Sequence, residues 1–297
     1  MNILSVQSWV CYGHVGNASA LFPLQRLGAE VWAVNTVQFS NHTGYGSWTG
    51  DVFGGAQVAR LIEGIEARGA LARCDAVLSG YMGDQGIGHA ILDAVKRAKD
   101  ASPNCVYCCD PVIGDDDTDV YVRAGIPELI RDQALPAADF ATPNVFELRM
   151  LTGMPTSTLD EVKRAVAKLH QLGPRAILVT SVETAETPAD CMDMLCSEGS
   201  PWPESGVIAG RSQKQPHRPA QIEGAVRAEA LLKPVFADGV RLAPGEPVER
   251  VRRRALDAVA ALPEEFKRLR NPEIYRVLLS EELGGMKDRM MTNPELA

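Results

Sequence analysis

No stretch of this 297-residue chain approaches the roughly 18 consecutive apolar residues of a membrane-spanning helix, so none is expected. Met1-Asn2-Ile3-Leu4-Ser5-Val6-Gln7-Ser8 lacks the basic start of a secretory signal and reads as a strand. Cysteine is few and odd in number, seven, and sits mostly inside apolar runs. That argues against a disulfide framework and for a reducing cytoplasm. Cys105 and Cys108 have the C-x-x-C spacing, but no second Cys or His pair accompanies them, so buried strand cysteines are expected in place of zinc. Positive charge is short as well: 30 Lys+Arg against 38 Asp+Glu leave −8. The deficit lies entirely in residues 1–197, with 14 basic and 23 acidic, whereas residues 198–297 hold 16 and 15. An acidic body argues against nucleic acid as the natural partner, and the shift marks a candidate boundary.

What is present is an alternation of strand and helix patterns. Ile3 to Gln7 reads as a strand ending at Ser8, followed by a turn with Gly13 and Gly16 and a helix from Asn17 to Gly28. Val31–Thr36 is a second strand, and the short βαβ order implies a parallel pair. Gln38–Gly46 mixes aromatics, amides, hydroxyls and glycine, which suits a small-molecule pocket or an ordered surface loop. Helical spacing marks 56–68, 88–99, 126–135 and 158–172. Strands are expected at 76–79, 104–109, 139–142 and 176–179, and again at 190–196. Units of about 30 residues predict a doubly wound, mostly parallel α/β sheet flanked by helices.

Polar residues recur just past the strands: Ser8, Tyr81, Asp110, Thr142, Thr180. The plainest case is Cys109-Asp110-Pro111-Val112-Ile113-Gly114-Asp115. Proline ends the strand's ladder and glycine turns the chain, leaving carboxylates beyond the sheet edge. Two carboxylates there can hold Mg²⁺ against a polyphosphate; a capped turn with solvated acids is the plainer alternative. Asn144 with Glu147 three residues on makes a capping-box pattern, which is a structural role for Glu147.

Gln7-Ser8 with Gly13-His14, Asn35-Thr36-Val37-Gln38-Phe39-Ser40-Asn41-His42-Thr43, Leu78-Ser79-Gly80-Tyr81, Cys109-Asp110-Pro111-Val112, Thr142-Pro143-Asn144 with Glu147, and Val179-Thr180-Ser181 together resemble a pyridoxal kinase of the ribokinase-like superfamily, over residues ~2–197. The resemblance implies ATP-dependent phosphorylation of the 5′-hydroxymethyl of a B6 vitamer (pyridoxal, pyridoxine or pyridoxamine), with Mg²⁺, in a homodimer. It implies that Ser8, Thr43 and Gly44 contact the pyridine ring substituents and that Tyr81 closes over the ring. Asp110 is implied near the γ-phosphate and metal, with Glu147 as its companion at the metal. Asp115 and Tyr121 are implied in a lid over the nucleotide. Thr142, Thr180 and Ser181 are implied on the phosphate side with Glu147.

The chain departs from the superfamily at one point of chemistry. The Gly-x-Gly-Asp turn of ribokinase-like enzymes, whose backbone N–H groups form an anion hole and whose Asp is the general base, is absent from the sequence. The aspartates after residue 197 are Asp238, Asp257 and Asp288, and none follows Gly-x-Gly. Residues 198–219 read as a Pro- and Gly-rich linker and 220–297 as a mainly helical tail, which resembles the C-terminus of a nicotinate phosphoribosyltransferase. Arg250, Arg252, Arg253 and Arg254 there read as a solvated helix face. Two rivals to a pyridoxal kinase follow. One is a hydroxymethylpyrimidine kinase, against which the Asn41-His42-Thr43 segment speaks. The other, to which the missing turn lends weight, is a vitamin-binding or oligomerisation protein without turnover.

Overall fold

A computed structural model describes residues 1–198 and 207–213. The chain opens with β1 (Asn2–Tyr12), α1 (Asn17–Arg26), β2 (Glu30–Asn41), β3 (Gly50–Val52) and α2 (Gly55–Glu66). It continues through β4 (Ala76–Ser79), α3 (Gln85–Ala101), β5 (Val106–Cys109) and a small hairpin, β6 (Gly114–Asp115) with β7 (Asp119–Val120). A helical stretch follows, α4 (Ile126–Leu129) running through a π turn, Ile130–Ala134, into α5 (Leu135–Ala137). Then come β8 (Phe140–Ala141), α6 (Val145–Thr152), α7 (Leu159–His170), β9 (Ala176–Val182), β10 (Cys191–Glu198) and β11 (Val207–Gln213).

Nine of these strands form one sheet in the order β11-β10-β9-β8-β5-β4-β1-β2-β3. The five pairings among the inner six strands, β2, β1, β4, β5, β8 and β9, are parallel, and β3, β10 and β11 join antiparallel at the two edges. Parallel strands carry helices on their faces and are buried on both sides, which is why Ile3-Leu4 and Ala76-Val77-Leu78 read as continuous apolar runs. Leu4, Val6, Val77 and Val179 pack with α2 to α7 on one face, and Ile3, Ala76, Leu78 and Cys108 pack with α1 on the other. Each fully buried Val, Leu or Ile among these stabilises by about 1.5–3 kcal/mol. The doubly wound α/β expectation therefore holds, as do the buried strand cysteines Cys108 and Cys109; Cys105 is buried too but sits one residue before β5.

Four local readings change. β1 does not end at Ser8; it runs to Tyr12 because β2 keeps pairing with it across an irregularity in which Thr36 and Val37 oppose the single Ser8. Such a bulge bends the ribbon and re-aims a side chain without ending the ladder. For the same reason Gln38–Asn41 is strand, and only Thr43–Tyr45, a single 3₁₀ turn, remains of the expected loop core. The helix expected at 126–135 is two short pieces around the π turn. Finally, Val207–Gln213, inside the run read as linker, is a strand that pairs with β10 from Cys196↔Val207 to Cys191↔Gln213. Composition pointed to a linker because Pro, Ser and Gly precede that short segment and two prolines follow it. The tail, 220–297, with Asp238 and the arginines 250–254, lies outside the described residues.

Candidate active site

The chain passes from β1 outward to β2 and then returns to β4 on the other side of β1. That reversal is the topological switch point at which open α/β sheets bind ligands, beyond the carboxyl ends of the strands. Parallel register fixes which residues meet there. Val6 aligns with Ser79, Ser79 with Cys109, and Cys109 with Ala141. One step further along lie Gln7, Gly80, Asp110 and Thr142; two steps further lie Ser8, Tyr81, Pro111 and Pro143. Hydrogen bonds carry the pairing past the last ladder residues: Gly80 N–H to Val6 O at 3.2 Å, Asp110 N–H to Ser79 O at 3.0 Å and Thr142 N–H to Cys109 O at 3.1 Å. Ser8, Tyr81, Asp110 and Thr142, singled out from the sequence, thus stand in two adjacent rows at one sheet edge.

A polar ladder beneath Ser8 was not legible as a site. Ser5 donates to Asn17 Oδ1 at 2.7 Å, Gln7 Nε2 donates to Ser5 Oγ at 2.9 Å, and Asn17 Nδ2 donates to Val34 O and Asn35 Oδ1. Ser5 and Asn17 are fully buried and Gln7 nearly so. The available signal was Ser5 and Gln7 alternating with Leu4 and Val6: polar groups inside a buried strand require partners. Gly16, at φ 54°, packs directly on Ser8, and a Cβ there would overlap both Ser8 Oγ and the Ser8 carbonyl. The Gly16→Ala variant is expected to lose about 1–3 kcal/mol to backbone strain alone, seen as a melting temperature lower by roughly 2–4 °C per kcal/mol. An unchanged melting temperature would refute the close approach.

Asp110 is 1 % exposed, and its Oδ1 accepts from Thr142 Oγ1 at 3.2 Å. Glu147 is 2 % exposed and does two jobs. Its Oε2 accepts from Asn144 N–H at 2.8 Å, completing the capping box in which Asn144 Oδ1 accepts from Glu147 N–H. Its Oε1 accepts from Ile113 N–H at 3.0 Å, tying the loop after Asp110 to the start of α6. Asn144 Nδ2 adds a bond to Gly114 O at 2.8 Å. Thr180 sits opposite Asn144 across an isolated parallel bridge, and its buried Oγ1 has no hydrogen-bond partner among the described residues. Ser181 follows at φ 52°, a left-handed conformation uncommon for serine. Under this edge Tyr107 and Ser79 share a 2.8 Å bond, and burial pushes the Tyr107 phenol well up and the Cys109 thiol up to about 12.

The hairpin β6–β7 begins four residues after Asp110. Asp115 Oδ1 accepts from the Asp117 and Thr118 amides and from Thr118 Oγ1, which makes it the hairpin's internal turn anchor. Arg149 of α6 forms an ion pair with Asp116. Tyr121 is 46 % exposed on the return leg, its N–H donating to Ile113 O at 3.1 Å. Thr43 and Gly44 lie on a separate exposed turn, where His42 Nδ1 accepts from Gly44 N–H at 3.2 Å. His42 donates its own N–H to Tyr12 O, and its ring meets Tyr45 edge-on at 5.5 Å. Burial holds the His42 imidazole below its ordinary range, opposed by the charge of Asp115, which connects this turn electrostatically to the hairpin. Tyr81 packs against Val10, Val37 and Phe39, and burial raises its phenol, opposed by the charge of Arg123.

Known proteins resemble the chain throughout this region. The family model described as phosphomethylpyrimidine kinase matches residues 49–206, and the model of the nicotinate phosphoribosyltransferase C-terminal domain matches 184–287. A pyridoxal kinase PdxY of Granulibacter bethesdensis is 58% identical over 238 residues, 78% of this chain and 80% of that protein. One from Deinococcus radiodurans is 54% identical over 202 residues, 67% of this chain and 68% of that protein. The pyridoxal kinase of Leishmania donovani in complex with ADP and pyridoxine superposes with a TM-score of 0.68 at 30% identity, covering 77% of each chain. A match spanning 78% of the chain needs more residues than 1–197 hold, so the kinase likeness runs past the boundary read from charge, as the pairing of β11 does. By these likenesses the chain belongs to the pyridoxal kinase family.

Proposed function

We propose that this chain binds a B6 vitamer and Mg²⁺·ATP at one strand-end site and phosphorylates the vitamer's 5′-hydroxymethyl group. The observation that carries the reading is the register: Ser8 and Tyr81 stand one row beyond the hydrogen-bonded Asp110–Thr142 pair, at the switch point. An aromatic ring beside a hydroxyl suits a substituted pyridine. Asp110 and the partnerless Thr180 hydroxyl suit the nucleotide: a buried polar atom without a partner is costly unless a ligand satisfies it. Asp110 would face the metal, Thr142, Thr180 and Ser181 the phosphates, and Asp115 and Tyr121 the nucleotide from the hairpin. Glu147, whose two oxygens are held by backbone donors, would add negative charge near the metal. Bound Mg²⁺ neutralises phosphate charge in the transfer, and the protein's own part is positioning.

The names of the relatives favour a B6 vitamer, while the name of the matching family model supports hydroxymethylpyrimidine as a second reading. A homodimer in the cytoplasm is the working form on this reading. Among the described residues no helix is long and apolar enough to cross a membrane. Titration calorimetry tests the reading: pyridoxal is expected to bind more tightly than hydroxymethylpyrimidine. Ser8→Ala and Thr43→Ala are each expected to weaken pyridoxal by about 1 kcal/mol, roughly five-fold, the net value of one hydrogen bond. Unchanged affinity in the double variant would move the vitamer elsewhere.

A further inference from the structure

A half-buried histidine holds the turn on which Thr43 stands. Thr43–Tyr45 is a single 3₁₀ turn with His42 as its N-cap. The two N–H groups that follow Thr43 both end on that residue. Nδ1 of the ring accepts from Gly44 N–H at 3.2 Å, and the His42 carbonyl accepts from Tyr45 N–H at 3.0 Å. The first of these gives an orphan donor at the start of the turn its acceptor. A Cβ on Gly44 would stand 2.9 Å from Nδ1, so the ring lies directly against the backbone just after Thr43.

The histidine is itself fixed at the ends of β1 and β2. Its N–H donates to Tyr12 O at 3.1 Å, and its carbonyl also accepts from Asn41 Nδ2 at 3.0 Å. Its ring meets Tyr45 edge-on at 5.5 Å, and Tyr45 in turn meets Tyr12 edge-on at 5.7 Å. An N–H aimed at Nδ1 requires the lone pair there, so the ring is neutral with its proton on Nε2. An imidazolium has donors at both nitrogens, and Gly44 N–H would then face a donor. The titratable groups around the ring are Tyr45 on its own turn, Tyr12 of β1 and Asp115 of β6. The charge of Asp115 favours the protonated ring, while burial favours the neutral one and is the larger effect.

We propose that His42 is a positioning residue for the vitamer: its neutral ring, through Gly44 N–H, sets the turn that presents Thr43, and protonation releases that turn. The inference rests on the function proposed above, in which Thr43 contacts the vitamer. Vitamer affinity is thereby gated by a proton that neither substrate nor nucleotide carries. The direction follows from the ring's surroundings. Its imidazole is held below the ordinary 6.5, so the cap is intact above that pH. It is lost as the pH falls through the lower value set by the fold.

Calorimetry with pyridoxine, from about pH 7.5 down to about pH 5, compares the full chain with His42→Asn and His42→Phe, a range that spans the titration of a histidine. The asparagine places an acceptor oxygen where Nδ1 stands along the side chain and does not titrate; the phenylalanine keeps a ring and has no acceptor. Taking each profile against that of His42→Asn removes the vitamer's own titration. The unsubstituted chain is expected to lose about five-fold in affinity over that descent relative to His42→Asn, the net value of one hydrogen bond. His42→Phe is expected to be about five-fold weaker already at the upper pH, with no further loss relative to His42→Asn. A His42→Asn profile as steep as that of the unsubstituted chain overturns the proposal, and so does a His42→Phe affinity unchanged at the upper pH. Should His42→Phe fail to fold, the His42→Asn profile decides alone. Thr43→Ala separates this inference from the reading beneath it. Unchanged pyridoxine affinity in Thr43→Ala would overturn the vitamer placement, and this inference with it. Weakened affinity there, with a pH profile that His42→Asn leaves as it was, would overturn the role of His42 alone.

Discussion

Purified protein supplied with Mg²⁺, ATP and pyridoxal is expected to form pyridoxal 5′-phosphate well below one turnover per second, followed by product absorbance. The substrate hydroxyl needs a base within reach, and the sequence holds no Gly-x-Gly-Asp turn to supply one. The charge developing on the phosphoryl needs backbone donors, and that turn was also to supply them. A positioned base contributes about 10²–10⁴-fold and one anion-hole donor about 10²–10³-fold; as parts of one unit they do not multiply. Either loss alone brings an ordinary rate of about 10 per second to 0.1 or less. Asp110 is a poor replacement, because a neighbouring Mg²⁺ would keep its carboxylate a weak base. Turnover near one per second that is abolished by Asp110→Asn would overturn this expectation and direct attention to Asp238.

Glu147→Gln is expected to destabilise the fold by about 1–3 kcal/mol, read by denaturant or thermal unfolding. From the sequence alone the substitution is mild, since glutamine completes a capping box as well as glutamate does. The structure changes that expectation. Both carboxylate oxygens accept from backbone N–H groups, the buried Ile113 on one and the half-buried Asn144 on the other. A glutamine has one oxygen and one NH₂, so whichever way its amide turns, a donor faces a donor and one backbone N–H loses its acceptor. Unchanged stability in Glu147→Gln would show that the Ile113 contact contributes nothing. Weaker Mg²⁺-dependent nucleotide binding with unchanged stability would assign the glutamate to the metal alone.

The contrast shows what could be read in advance. The sheet was legible because parallel strands buried on both faces print unbroken apolar runs, as at 76–79, and because crossover helices print their own period. The capping box at Asn144 was legible because it is local, three residues from end to end, whereas the one at Thr158 was read only as the start of a helix. Strand continuation past Ser8 was not, since the pairing that sustains it comes from β2 and the residues involved are polar. β11 was hidden by the punctuating residues on both sides of it. The second bond of Glu147 spans 34 positions, and nothing in a single stretch of sequence encodes it. The candidate site residues were picked from strand ends, and register later set Ser8, Tyr81, Asp110 and Thr142 side by side.

The hydrogen-bonded set of Ser5, Gln7, Asn17 and Asn35 ties β1, α1 and β2 together next to Ser8. Ser5, Gln7 and Asn17 are buried and bonded in series, so exchanging Ser5 or Asn17 for an apolar residue leaves a buried polar partner without its bond. In evolutionary terms Ser5, Gln7 and Asn17 form a single heritable character: along the family's history they should change as a set or stay as they are, while the apolar residues between them drift one at a time.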